Sequence, residues 1–299
     1  MDMKEFAEKV QERVHERLRR ECRVELLNVT KNNHVELLGL HIYGEHQNVS
    51  PTIYLNTFFE AYQAGMTMSR IVERIVEVYE QGRPGCNVDM SFFKEYALVK
   101  DRICAKLINR EKNRELLEQI PHVEFLDLAI CFYYAYNGKE LGAGSILIYH
   151  SHAVLWDVGT EALLAAAAEN TPALFAADCV PMNEMILGLL NKNNPDVIDP
   201  NLLPESPMMI LTNRERVQGA ITMLYPELLK SISDRVGSDL FILPSSVHEV
   251  ILLPDDGQIS AGRLKEMILE VNTTQLDPED VLSDNLYYFN RESADISVL

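Results

Sequence analysis

The amino-acid sequence predicts an α+β fold, with mostly antiparallel sheets built from strand-strand-helix units and helices packed on one face. Three observations lead there. Short β-favouring runs come in pairs joined by turn residues, and strands joined that tightly must run antiparallel. Helical runs with apolar spacing of three and four follow such pairs, so the unit recurs at Val24 to Tyr79, Val123 to Ala168 and Leu240 to Val271. Across 299 residues, 47% hydrophobic against 24% charged supplies a core for one large or two ordinary domains.

Taken in order, Met3, Phe6, Ala7, Val10, Val14 and Leu18 line one face of a surface helix whose other face is charged. Arg23 to Val29 and Val35 to Tyr43 read as a hairpin around Lys31-Asn32-Asn33. Thr52 to Leu55 is a short extended piece, and a helix through Phe58, Phe59 and Tyr62 ends near Gly65. Met68, Ile71, Val72, Ile75, Val76 and Tyr79 form the clearest helix, stopped by Gly82 and Pro84. Met90 to Ala97 is helical, Ile103 to Asn109 a strand, and Glu111 to Glu118 a helix. Val123 to Tyr136 and Ser145 to Trp156 read as two long strands. Thr160 caps a helix that closes at Asn170-Thr171-Pro172, and Asn183 caps another. Met208 to Leu211 and Ala220 to Leu224 are strand-like, and Pro226 opens a helix that Gly237 ends. Leu240 to Leu243 and Val247 to Leu253 pair before a helix through Leu264, Ile268 and Val271; a last strand, Leu286 to Phe289, precedes a polar tail.

The glycine and proline run from Gly82 to Asn87 sets a domain boundary: an N-terminal α+β subdomain at 1–82 and a larger α+β domain at 88–299. The proline- and asparagine-rich stretch at 191–207 can divide the second.

A formal net charge of -18 argues against nucleic acid and anionic membrane surfaces, unless a local basic patch overrides the field. Five widely spaced cysteines with no Cys-x-x-Cys, several inside apolar runs, read as reduced thiols in the cytoplasm. The charged N-terminus has no apolar core of a signal peptide, and no apolar run approaches the ~20 residues that span a bilayer.

Few residues carry chemistry by spacing. His150 and His152 would share one strand face and could reach one zinc ion, though a third ligand is wanting. Cys179 needs a histidine from elsewhere, such as His248 or His150, to become a nucleophile, and Ser246 and His248 stand too close in sequence to predict a dyad. Ser145 after Gly142-Ala143-Gly144 lacks the following glycine of a nucleophile elbow. Asp127, inside VEFLDLAICF, reads as solvent-facing or as paired with Arg102 or Lys106.

The phrases SPTIYLNTFFEAYQAG, LINREKNRELLEQIPHVEFLDLAICFYY, LYPELLKSISDRVGSDLFILPSSVHEVILLPDDG and VLSDNLYYFNRE together resemble the bacterial family known as domain of unknown function 5688. A fainter similarity, carried by GSDLFILPSSVHEVILLPD, is to domain of unknown function 1444 of Gram-positive bacteria. The resemblance implies a cytoplasmic bacterial protein and carries over no catalytic residue. The function expected is a non-catalytic module that binds another protein or a small ligand, with no cofactor. The alternative is a hydrolase using the region of His150, His152 and Cys179, with His248 as a further catalytic candidate. Oligomeric state is not legible.

Overall fold

A computed structural model describes the chain except residues 19–21, 45–47, 83–88, 139–141 and 194–205, together with the side chains of 189 and 191–193. The linker beyond Gly82, through Asn87, and most of the 191–207 stretch thus lie outside the described residues. Contacts gather the chain into two units, 1–92 with 136–144, and 93–135 with 145–299.

The first unit is a three-stranded antiparallel sheet with helices on one side. Strands β1 (Cys22–Thr30) and β2 (Glu36–Gly44) form the expected hairpin, paired from Cys22 opposite Gly44 to Thr30 opposite Glu36. Its loop turns through Asn33 at φ 58°, a left-handed conformation that asparagine tolerates better than most residues. The short β3 (Thr52–Tyr54) adds to β2. Helices α1 (Met3–Arg17), α2 (Asn56–Gln63) and α3 (Met68–Gly82) lay their apolar stripes on the inner face. Phe6, Val10, Val14, Ile71, Ile75 and Tyr79 there meet Leu40, Ile42 and Ile53 in one core. Asp2 caps α1, its carboxylate accepting the Glu5 N–H at 2.8 Å.

Leading into the second unit, a 3-10 turn Ser91–Lys94 and the single-turn helix α4 (Tyr96–Val99) replace the predicted Met90 to Ala97 helix. Strand β4 (Ile103–Asn109) follows, then the single-turn α5 (Arg114–Leu117). The run read as one strand from Val123 is a hairpin, β5 (His122–Phe125) and β6 (Leu128–Gly138). Phe125 stands opposite Leu128, so Leu126 and Asp127 make a two-residue turn, with Leu126 at φ 55°. An apolar run with no glycine hides such a turn, because leucine is a poor signal for a left-handed residue. Strand β6 pairs with β4 on one side, and β5 and β7 (Gly142–Leu147) also pair with it.

The predicted strand to Trp156 ends at Leu147, and α6 (His150–Trp156) begins three residues later. Its sequence, apolar at Ala153, Val154, Leu155 and Trp156, fits neither period well, so pattern alone could not choose. Helix α7 (Thr160–Leu174) starts from Gly159 rather than Thr160 and continues through Pro172. The residues that looked like its stop are hydrogen-bonded to the neighbouring strand region: Asn170 donates to the Lys100 and Ile103 carbonyls, and Thr171 Oγ1 accepts the Ala105 N–H at 3.0 Å.

A six-stranded antiparallel sheet completes the unit, in the order β13-β12-β10-β11-β9-β8. Its members are β8 (Ala177–Pro181), β9 (Met209–Asn213), β10 (Leu240–Leu243), β11 (Val250–Pro254), β12 (Tyr287–Asn290) and β13 (Asp295–Val298). The edge strands β8 and β13 were not expected; ADCVP is short, and DISV sits in what reads as a polar tail. Helix α8 (Met182–Asn193) begins one residue before the expected Asn183 cap. Ala220 to Leu224, expected as a strand, lies in a 3-10 helix Gly219–Leu224. Helices α9 (Leu228–Val236) and α10 (Ala261–Thr274) match expectation; Gly237 ends α9 at φ 81°, and Leu264 and Ile268 of α10 pack on Phe241, Leu243 and Leu253. The α+β class is the one predicted, and among the described residues no helix is long and apolar enough to cross a membrane.

Candidate interaction surface

The outer face of the first unit's sheet is built by strand geometry. Residues directly opposite in an antiparallel pair share a face, and faces alternate along each strand. The register therefore sets Glu25, Leu27 and Val29 beside His41, Gly39 and Leu37, and these beside Thr52 and Tyr54. None of the side chains on this face is buried, and Leu27 is 41% exposed, whereas Leu40 and Ile42 on the inner face are fully buried.

At the centre Gly39 has no side chain. A Cβ there would come within 2.7 Å of Thr52 Cγ2 and 3.2 Å of Val29 Cγ2, so its neighbours lean over it and flatten the surface. Polar groups stand at one end. His41 Nδ1 is 3.0 Å from Tyr43 Oη, and its Nε2 is 2.8 Å from Thr52 Oγ1. A hydroxyl can donate or accept, so this network holds the ring in place in either tautomer. At the other end Lys31 Nζ lies 4.4 Å above the Tyr54 ring, a cation–π contact. The arrangement is a flat apolar floor with fixed polar groups at its ends.

The residues singled out from sequence are placed differently. His150 and His152 are on α6, where a two-residue step turns about 200° around the axis, so the shared strand face does not exist. His152 turns inward, edge-on to Phe93 at a centroid distance of 5.1 Å, and its Nδ1 accepts the Tyr149 N–H at 3.1 Å. Burial among these rings lowers its pKa, which suits a nitrogen that must accept. His150 instead lines an open groove of about 410 Å³ with Pro121, Val154, Asp157 and Thr160. Among the described residues no three of His, Cys, Asp or Glu gather so as to hold one metal ion.

Cys179 is on edge strand β8, in line with Leu211 and then Val250 across the sheet. Val250 is thus two strand spacings, ~10 Å, from Cys179, and His248 precedes it by two residues outside the strand. Burial pushes the Cys179 thiol up, with Arg235 opposing. His248 has both ring nitrogens engaged: Nδ1 accepts the Gln218 N–H at 3.3 Å, so the proton sits on Nε2, which faces Asp280 Oδ1 at 3.2 Å. Ser246 Oγ meets the His248 backbone N–H, not its ring.

Burial also raises Cys104 to about 11 and Cys131 to about 12. Since the thiolate is the nucleophile, these two are expected to resist iodoacetamide at pH 8 in the folded protein and to react only after denaturation. Peptide mapping by mass spectrometry checks this, and native labelling of either residue at the rate of a free thiol contradicts it.

Asp127 is paired, but not with Arg102 or Lys106. Arg102 Nε donates instead to the Ala135 carbonyl. The carboxylate accepts from Tyr287 Oη at 2.5 Å, Ser283 Oγ at 2.6 Å and Asn285 Nδ2 at 3.0 Å. With three donors fixed on it, this carboxylate joins two sheets.

Against known proteins, the profile described as "Family of unknown function (DUF5688)" matches residues 3–291. The chain belongs to that family. No curated protein and no solved structure matches it. In this DUF5688 chain the outer sheet face was missed, although a signal existed. A sheet with one solvated face alternates apolar and polar residues, whereas Leu26-Leu27 and Leu37-Leu38 are apolar on both sides of the pleat.

Proposed function

We propose that this DUF5688 protein is a non-catalytic binding module of the bacterial cytoplasm, which takes a partner protein on the outer face of its β1-β2-β3 sheet. The observation that carries the reading is the unburied apolar floor of Leu27, Val29, Leu37 and Tyr54 beside the anchored His41. The nine-residue β1 and β2 are ~30 Å long, and with the three-residue β3 the sheet is ~10–14 Å across, which matches one helix or one extended segment of a partner better than a second sheet. The hydrolase alternative has less support. It needs imidazole, thiol and carboxylate groups in reach of one another; His248 pairs with Asp280, but the His152 ring accepts the Tyr149 N–H and His150 lines a separate groove.

The test is a comparison of bait proteins in lysate of the native cell. Leu27→Asp removes apolar contact and adds a charge at an exposed position, so folding is expected to be kept within about 1 kcal/mol. Partner retention should fall about tenfold or more, as expected for losing one buried leucine from an interface. Identical protein sets on wild type and variant, or none on wild type, would overturn the reading.

A further inference from the structure

A second site lies in the first unit, between α1 and α3, away from the sheet face. Arg13 and Arg17 are one helical turn apart on α1, so their guanidinium groups rise from the same side. They line a cavity of about 370 Å³ with Ser69 and Val72 on the facing helix. Two carboxylates line it as well, Glu16 and Glu73, but Glu73 is tied to Arg70 at 3.1 Å. Among the described residues neither Arg13 nor Arg17 forms an ion pair.

Of the other described arginines, Arg74, Arg214 and Arg235 form no ion pair either; Arg13 and Arg17 differ in sharing one helix face and one cavity. Acids outnumber bases 45 to 27, so an arginine has a surplus of carboxylates to choose from. Two arginines left without one, facing a cavity with a hydroxyl on its far wall, keep a place for an anion that the protein does not itself provide. Guanidinium forks match tetrahedral oxyanions bidentately, and Ser69 adds a neutral donor that suits a phosphate oxygen. The rest of the molecule narrows the choice. A chain at -18 repels long polyanions and anionic bilayers, whereas a small ligand with one or two phosphates fits within the cavity and pays little of that repulsion.

We infer that the cleft of Arg13, Arg17 and Ser69 binds the phosphate group of a small phosphorylated molecule. Glu16 is the built-in counterweight: it stands between the two arginines in sequence and on the same cavity wall, and it weakens the site by like-charge repulsion with the ligand.

Titration calorimetry on the full chain, with inorganic phosphate and with pyrophosphate as probes, tests this. Binding is expected for both, tighter for pyrophosphate, and weakening as salt is raised. Arg13→Gln or Arg17→Gln should each weaken pyrophosphate about tenfold or more, while Arg114→Gln, an exposed arginine on α5, should change nothing. Glu16→Gln should tighten binding severalfold, a gain that a misfolded variant cannot imitate. No heat from wild type with either probe, equal affinity in the arginine variants, or no gain with Glu16→Gln would overturn the inference.

Discussion

Asp127→Ala is expected to lower the stability of the second unit by about 3 kcal/mol or more, a substantial fraction of the about 5–15 kcal/mol that folded domains hold. The carboxylate takes three side-chain donors from one short stretch, and two of them, on Ser283 and Tyr287, belong to fully buried residues. Removing it leaves buried hydroxyls without an acceptor, which costs more than the bonds are worth in isolation. Burial, and then the contact with Asp127, push the Tyr287 phenol well above its ordinary range, so it remains a donor throughout accessible pH. The consequence is architectural. Asp127 sits in the β5–β6 turn of the four-stranded sheet, while its donors lead into β12 of the six-stranded one. Asn109 adds a bond to the Leu282 carbonyl at 3.0 Å, and Lys112 reaches Asp284. Urea unfolding measures the loss. Tyr287→Phe should cost less, about 1–2 kcal/mol, because the carboxylate keeps two partners; a double-mutant cycle between the two positions should show coupling above about 1 kcal/mol. A cost under 1 kcal/mol for Asp127→Ala would show that the two sheets do not depend on this contact.

Gly219→Ala is the second large effect, and its cause is steric. A Cβ at this position would stand 2.2 Å from Thr212 Oγ1, 2.4 Å from the His248 carbonyl oxygen and 2.8 Å from the Asn213 nitrogen. Two of these are backbone atoms of fixed segments, and the third is held because Thr212 Oγ1 donates to the His248 carbonyl at 2.7 Å. One methyl group must therefore push apart the end of β9 and the chain entering β11. We expect about 3 kcal/mol of destabilisation, in the range of severe overpacking. Gly262→Ala is the matched control. It lies in α10 with open space where its Cβ would go, so alanine there should stabilise by about 0.5–1 kcal/mol. Thermal melts of the two variants should move in opposite directions, and a neutral Gly219→Ala would contradict the close approach.

Much of the fold was legible in sequence. The β1–β2 hairpin, α3, α9 and α10 each combine a clean period with a stop signal, such as Asn33 in the loop or Gly237 at the helix end. These are local devices, decided by dihedral preference and by which side of an element is apolar. The failures share a cause as well. HSHAVLW carries apolar residues on both sides of any regular element, so its helix is decided by Trp156 and Ala153 finding a buried place while Val154 stays 80% exposed. The edge strands β8 and β13 exist because partner strands offer unpaired backbone groups, which no residue in ADCVP or DISV announces.

The candidate site divides in the same way. Leu26-Leu27 and Leu37-Leu38 already imply that both faces of the hairpin are apolar. Which face the helices cover is decided only when α1, α2 and α3 pack on Leu40 and Ile42 and leave Leu27 outside. By itself, the sequence determined the α+β class, the acidic charge and the family, since composition, period and motif phrases are properties of the chain read in order. Only the tertiary structure decided which donors reach Asp127, where His150 and His152 point, and which arginines lack a carboxylate. Those are distances between residues far apart in sequence, set by strand register and helix packing together, and no one-dimensional pattern encodes them.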